Sequence, residues 1–502
     1  MADILNNLAY GFSIVMAPMN LLYCFLGVAV GTLIGVLPGL GPAATIALLL
    51  PSTFHIPSVS AIIMLAGIYY GGMYGGSTTS ILVNIPGEAA SVVTCLDGYQ
   101  MARKGRAGPA LGISALGSFI GGTFSIIGLI FLAPPLASMA LDFGPPEYLS
   151  LMLLGLVLLT FLASGSMVKA LVMAAFGFFL GSIGLDIVTS HARFSFGSNT
   201  LMDGVGLIPV VMGLFGVAEV IENIEKKPDR QVFDAKIRGL LPNRQDWRDS
   251  LGPIARGSLI GFLLGVLPGG GVIISSFAAY AVEKKVSRNP ENFGKGAIQG
   301  VAGPETANNA ATGGAFVPLL TLGIPPNPVM ALLLAALMIH GVQPGPLLIQ
   351  QAPELFWGVV ASMYVGNIML LVLNLPLIGL WVKILKIPYV TLFPLILLFC
   401  LIGAYSLNSN PYDMLTMVVF GVIGYFMRKY GYEAAPLVLA FVLGPMFESA
   451  LRQSLLMSHG SMIIFFERPI SAALMGTAIL LLVLPLFMRR RPAKTLRVQG
   501  EI

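Results

Sequence analysis

Long apolar runs separated by short charged clusters dominate this chain. No Lys or Arg precedes Arg103, and basic residues then arrive in groups. Arg103, Lys104 and Arg106 form the first; eight lie between Lys226 and Arg256, four between Lys284 and Lys295, and five between Arg489 and Arg497. After the first group, apolar runs fall near 109–141, 148–163, 168–188 and 204–222. After Lys295 they fall at 298–340 (interrupted), 353–375, 388–408, 411–427, 433–451 and 470–488. Runs of this length read as membrane helices, and basic clusters collect on the cytoplasmic side. Four runs separate Arg106 from Lys226 and six separate Lys295 from Arg489, so each stretch returns to that side. Lys383/Lys386 and Arg428/Lys429 are smaller marks of the same kind. The pattern predicts an all-α polytopic membrane protein with roughly 10–12 transmembrane helices.

Composition agrees. Of 502 residues, 56% are hydrophobic and 10% charged, against about a quarter charged in soluble domains. The 59 glycines and 34 prolines suit membrane helices whose neighbours satisfy freed backbone groups. No basic stripe with interleaved aromatics points to nucleic acid. Cys24, Cys95 and Cys400 are scattered, as are His55, His191, His340 and His459, so neither a disulfide framework nor a zinc site is expected. The N-terminus lacks the basic region of a cleavable signal and reads as mature protein. The Lys/Asp/Arg-rich segment 223–256 reads as a cytoplasmic linker. It divides a first membrane repeat, 1–222, from a second, 257–488, and 489–502 forms a basic cytoplasmic tail.

The two repeats are visible directly. Residues 27–41, GVAVGTLIGVLPGLG, and 257–271, GSLIGFLLGVLPGGG, are identical at 9 of 15 positions. Tyr74-Gly75-Gly76 with Asn84-Ile85-Pro86 echoes Gly313-Gly314-Ala315 with Gly323-Ile324-Pro325, and Asp97–Gln100 echoes His340–Gln343. The second LPGGG lies between basic clusters and reads as a re-entrant hairpin dipping in from the cytoplasm. The first has no basic flank, as expected if it dips from the other face. Two inverted repeats with broken helical hairpins are the sequence pointer to a secondary transporter's site at mid-membrane. The glycines of GxxxGxxxG at 27/31/35 and 257/261/265 read as close-packing positions. GLGPAA at 39–44 follows a membrane segment, not a strand, so it is no dinucleotide loop. Pro38-Gly39 and Pro268-Gly269 read as kinks or as substrate contacts, and their duplication favours contact.

Two polar stretches are expected to be non-helical and to line a cavity. Gly71–Glu88 offers Ser77, Thr78, Thr79, Ser80 and Asn84; Gly303–Pro326 offers Glu305, Thr306, Asn308, Asn309 and Thr312. Hydroxyls, carboxamides and freed carbonyls suit Na⁺, and freed helix N-termini suit a carboxylate. The substrate candidates are Pro38, Gly39, Gly41, Ser77, Thr78, Thr79, Asn84, Pro268, Gly269, Gly270, Asn308, Asn309 and Thr312. The Na⁺ candidates are Thr79, Asn84, Glu305, Thr306 and Asn309, with Na⁺ as coupling ion and no other cofactor. An intramembrane acid such as Glu305 is a functional hypothesis by default, set against a cap at a cytoplasmic helix end. Glu88 reads as solvated beside an Asp97–Arg106 loop. Asp142, Glu147 and Asp413 read as outer-loop residues, and Glu219, Glu222 and Glu225 approach the cytoplasmic linker; none is assigned a role.

These stretches resemble the large membrane subunit of the tripartite tricarboxylate transporters, the TctA family. The matching segments are GTLIGVLPGLGP (31–42), YGGSTTSILVNIPGE (74–88), LDGYQMARKGRAGPAL (96–111), GVLPGGG (265–271) and AGPETANNAATGGAFVPLLTLGIPP (302–326). The resemblance runs essentially end to end. It implies an ion-driven carrier of citrate-like carboxylates in the bacterial inner membrane. It also implies two partners, a small TctB-like membrane subunit and a periplasmic TctC-like solute-binding protein that does much of the selection.

The reading is therefore a secondary transporter importing a di- or tricarboxylate with Na⁺, with H⁺ as the alternative ion. An intramembrane enzyme needs a nucleophile–base pair or metal ligands at workable spacing, and the polar stretches hold none. A channel shares the polar re-entrant loops, but its flux does not saturate or depend on a coupling gradient.

Overall fold

Helices account for nearly all of the computed structural model, which describes residues 2–37, 41–162, 166–186, 189–226, 239–267, 269, 271–385 and 389–487. The first half contains α1 (Ala2–Val15), α2 (Pro18–Val36), α3 (Pro42–Leu49), α4 (Ser58–Val83), α5 (Val92–Arg103), α6 (Ala107–Ala140), α7 (Pro145–Leu162) and α8 (Met167–Gly181). It closes with α9, built of Leu207–Val211, a π-helical Met212–Val217 and Ala218–Lys226. The second half runs through α10 (Arg244–Val266), α11 (Gly271–Val286), α12 (Gln299–Gly314), α13 (Phe316–Leu322), α14 (Pro328–Ile339) and α15 (Pro353–Asn374). It ends with α16 (Ile378–Leu385), α17 (Tyr389–Asn408), α18 (Pro411–Lys429), α19 (Ala434–Met457) and α20 (Pro469–Phe487). Among the described residues the strands are a two-residue ladder of Gly184–Leu185 with Ala192–Arg193.

Among the described residues, six helices are long and apolar enough to cross a membrane, and five shorter apolar helices accompany them. The chain is an all-α polytopic membrane protein. Its outer surface is apolar: Leu415, Val418, Val419, Val422 and Phe426 form one exposed stripe on α18, and Phe124, Ile127 and Phe131 another on α6. Water would penalise such continuous apolar area; lipid does not. The interior reverses the pattern. Every residue from Ser60 to Val83 on α4 and from Gly300 to Gly314 on α12 is buried, Ser, Thr, Asn and Glu included.

Glycine explains how two such helices become central. A Cβ on Gly27, Gly31 or Gly35 of α2 would lie 2.3, 2.6 or 2.3 Å from the carbonyls of Met64, Ile68 and Gly72 on α4. On α10, Gly257, Gly261 and Gly265 would meet Gly303 O, Ala307 O and Ala311 O of α12 at 2.4, 2.3 and 2.3 Å. Both sets are backbone-to-backbone packing that no larger residue fits. The glycine sets are offset by 230 residues and their carbonyl partners by 239, so the same packing occurs twice.

The halves also interlock. With the 239-residue offset, Glu88 corresponds to Asn327 and Tyr69 to Asn308. Asn308 Nδ2 donates to Glu88 Oε1 (3.1 Å), while Asn327 Nδ2 donates to Tyr69 Oη (3.0 Å). Each contact is the counterpart of the other with the halves exchanged.

Two expectations need correction. Asp97 does not open a loop; it is buried inside α5. Its Oδ1 accepts the amides of Gly294 (2.9 Å), Gly296 (2.7 Å) and Ala297 (2.8 Å), and its Oδ2 accepts from Tyr280 Oη (2.9 Å). Glu147 is not a free loop residue either. It lies in the first turn of α7 and pairs with Arg468 at 2.5 Å while 2% exposed.

Candidate functional site

The polar stretches are not unwound. α4 stays helical to Val83 and α12 to Gly314, so the breaks are confined to Asn84–Glu88, a step at Ala315, and Gly323–Asn327. Regular helix satisfies the buried backbone, and the hydroxyls fold back onto it. Ser80 donates to Gly76 O (3.0 Å), Thr306 to Ala302 O (2.7 Å) and Thr312 to Asn308 O (2.8 Å), one turn earlier in each case. Thr79 instead reaches Val36 O at the end of α2, at 2.6 Å. These hydroxyls donate to carbonyls, which fixes their orientation while leaving the oxygen lone pairs as acceptors.

What ends each helix is conformational. α4 stops at Asn84 with φ +59°, and α13 stops at Gly323 with φ +69°. Both are left-handed C-terminal positions followed by Ile-Pro, which cannot continue a helix. In the second half, Gly269 (φ +113°) donates its amide to Pro326 O at 2.9 Å, tying the two broken segments together. In the first half, Gly87 sits so close to α2 that a Cβ there would be 2.1 Å from Gly35 O. Pro38, Gly39, Pro268 and Gly270 lie outside the described residues, as do parts of the proposed linker and the basic tail.

The described candidates sort into clusters. Glu305 on α12 is 1% exposed, and its carboxylate accepts from the hydroxyls of Ser77 on α4 and Thr94 on α5. Asn309, one turn later, donates to Ser118 Oγ on α6 (2.7 Å) and to Glu305 O (3.1 Å). Beyond it Tyr74 donates to Asn367 Oδ1 (3.1 Å), and Asn367 Nδ2 reaches Phe119 O (2.9 Å) and Thr123 Oγ1 (3.1 Å). A cavity of about 20 Å³, enough for one water, lies between Tyr70, Tyr74, Ser125, Asn309, Met363 and Asn367.

Asn308 points elsewhere, toward the first break. Its amide meets Glu88, whose Oε2 accepts the Ala90 amide at 2.5 Å and so caps the turn that begins α5. Glu88 was set aside on sequence as a solvated residue; it is bonded to the core of the other half. Its place in the NIPGE segment, at a helix break, was the available signal. Thr94, Ser118, Tyr69 and Asn367 were also missed, because only packing brings them near α4 and α12. Among the candidates, Asn84 is exposed, Gly41 has open space beside it, and Thr78 is buried on the Ser77 turn. Thr306 faces Gly117 and Gly121 of α6, away from Asn308.

A larger cavity of about 610 Å³ opens beside Leu322 at the end of α13. Tyr148, Gln343, Pro344, Gln351, Ser449 and Gln453 are among its walls, and among the described residues no charged side chain lines it. That volume is in the range of small-molecule sites. Among the described residues, no group of three or more His, Cys, Asp or Glu could hold a metal ion.

The chain matches the family described as "Tripartite tricarboxylate transporter TctA family" across residues 21–439. It is 52% identical over 486 residues to an Agrobacterium vitis protein named "Uncharacterized 52.8 kDa protein in TAR-I ttuC' 3'region", covering 97% of each chain. A second protein of that organism, "Uncharacterized protein in TAR-II ttuC' 3'region", is 54% identical over 226 residues, 45% of this chain and 93% of its own. No solved structure is a significant match.

Proposed function

The chain belongs to the tripartite tricarboxylate transporter TctA family, and from that premise we propose that it is the large transmembrane subunit of a secondary transporter importing a di- or tricarboxylate. The substrate arrives on a periplasmic solute-binding protein, and a small TctB-like membrane subunit completes the complex. The protein sits in the bacterial inner membrane with its C-terminus in the cytoplasm, a placement supported by its basic clusters. Its halves, interlocked by reciprocal contacts, are inverted relative to the membrane. The carrier leaves its substrate chemically unchanged.

One observation supports the site most: a carboxylate and two carboxamides are buried where broken helices from both halves meet. Glu305, Asn308 and Asn309 project from α12 toward α4, α5 and α6. Burying such groups in a membrane interior is costly and marks solute and ion pathways. The uncharged 610 Å³ cavity serves as the outer vestibule, admitting an anion past amide and hydroxyl groups. No Lys or Arg lies within α4 or α12. A polyanion crossing there depends on a bound cation, and Na⁺ is the proposed one. The buried carboxylates keep H⁺ as the alternative. Uptake of labelled citrate or another di- or tricarboxylate into proteoliposomes holding all three subunits tests this. Uptake should require an inward Na⁺ gradient; equal uptake after removing both the Na⁺ and pH gradients overturns the coupling.

A further inference from the structure

We infer that Glu88 and Asn308 together form the site of the coupling cation, an alkali ion of Na⁺ type, at the first helix break. This rests on the transport reading above and names a place for its ion that the sequence did not suggest. The starting observation is an orphan. Asn308 is fully buried, and its Oδ1 has no hydrogen-bond partner. A buried carbonyl oxygen left unpaired is costly and calls for an explanation. Its sister Nδ2 donates to Glu88 Oε1, so the orphan oxygen is on the same carboxamide that touches the carboxylate. Turning the amide over would set Oδ1 against Glu88 Oε1, which is repulsive with nothing between them and favourable around a cation. With the amide turned over, a cation between the two oxygens satisfies both groups.

The backbone around Glu88 has the same polarity. Gly87 and Glu88 fold back against Gly76 of α4 and the last turn of α2, which ends at Val36, so the partial negative charge of that helix C-terminus lies beside them. The Gly35 carbonyl, in the last turn of α2, lies against Gly87. Carbonyls at half-helix C-termini are a recurrent way of holding Na⁺ in transporters. Glu88 also caps the turn at Ala90, so a cation held there is mechanically joined to α5.

The other half supplies an internal comparison. At the corresponding positions, Asn327 replaces Glu88 and Tyr69 replaces Asn308. There every polar atom is used: Asn327 Oδ1 accepts the Met330 amide (3.0 Å), and its Nδ2 donates to Tyr69 Oη. One break is neutral and closed; its counterpart carries a carboxylate and an unsatisfied oxygen. The carboxylate is present on one side only.

The full chain in detergent, with NaCl titrated against choline chloride at constant ionic strength, tests the assignment through its melting temperature. Ligand binding to the folded state raises that temperature by mass action. The wild type should be stabilised by Na⁺. Glu88→Gln and Asn308→Ala should weaken the Na⁺ midpoint by about tenfold or more, whereas Asn327→Ala should leave it in place. Asn308→Asp covers the case in which the other variants fold poorly, since a second carboxylate should tighten the midpoint severalfold. A wild type with no Na⁺ response overturns the Na⁺-coupling reading together with this site. A wild-type response that persists unchanged in Glu88→Gln, or in Asn308→Asp if only that variant folds, overturns this site alone.

Discussion

Asn367 and Thr123 are hydrogen-bonded at 3.1 Å across the centre of the protein, and they occupy the same position of α15 and α6. Pro109/Pro353, Leu111/Leu355, Ser118/Ser362 and Gly122/Gly366 share the 244-residue spacing that relates the two. A residue that touches its own counterpart marks the axis of a two-fold relation. Ser118, which accepts from Asn309, and Ser362, whose carbonyl accepts from Tyr70 Oη (3.4 Å), flank that axis. Such pairs relate the halves to each other, and the polar side chains of α4 and α12 are gathered around them.

The core hydroxyls and amides have different expected effects on transport. Asn309→Ala should lower carboxylate uptake by about tenfold or more, because it removes a buried amide that links Ser118 to Glu305 O. Thr79→Ala should lower it less, since the Thr79 hydroxyl bonds a backbone carbonyl at the end of α2. Proteoliposome uptake with assembly followed by size-exclusion chromatography measures both; unchanged kinetics in both variants removes them from the site.

Glu305 should tolerate loss of charge better than loss of its oxygens. Glu305→Gln retains an acceptor for Ser77 or Thr94, whereas Glu305→Ala strands both hydroxyls. Stranding a buried donor costs about 1–3 kcal/mol, so the alanine variant should melt clearly lower than the glutamine variant. If Glu305→Gln abolishes uptake while melting near wild type, the carboxylate acts in transport and not only in packing.

Gly261→Val should prevent stable folding. Its Cβ would lie 2.3 Å from Ala307 O, a backbone atom that cannot move away without parting α10 from α12. The cost should exceed about 3 kcal/mol. Gly476→Ala on α20 meets nothing within 4 Å and should be neutral or stabilising by up to about 1 kcal/mol. Thermal melts in detergent of the two variants provide the comparison.

The Glu147–Arg468 pair joins α7 to α20, with Glu147 2% exposed. Arg468→Ala leaves that carboxylate buried and unpaired and should cost about 3–5 kcal/mol. Adding Glu147→Leu to Arg468→Ala should recover much of the loss. A double-mutant cycle on melting temperature decides the matter, and strict additivity of the two changes would contradict the pairing.

The membrane class, most helices and the duplication were legible in the sequence because each depends on local order. Apolar runs, basic clusters and a glycine every fourth residue all act within a single helix or a helix pair. The left-handed stops at Asn84 and Gly323 were visible too, as Asn or Gly followed by Ile-Pro. The sequence suggested unwound polar stretches where the structure has helix, because Ser, Thr and Asn do favour local turns. In this core the alternative to helix is an unpaired backbone in an apolar interior, and that penalty exceeds the local preference.

The amino-acid order alone therefore determined what kind of protein this is, where its chain breaks, and that the breaks come in pairs. Which side chains meet at them was decided only by tertiary packing. Glu88 and Asn308 are 220 residues apart, and their encounter depends on glycines that let α2 reach α4 and α10 reach α12. Sequence distance carries no information about a contact between two halves that interlock. It is the close backbone approach of those helices, set by the absence of six side chains, that brings a carboxylate from one half against a carboxamide from the other.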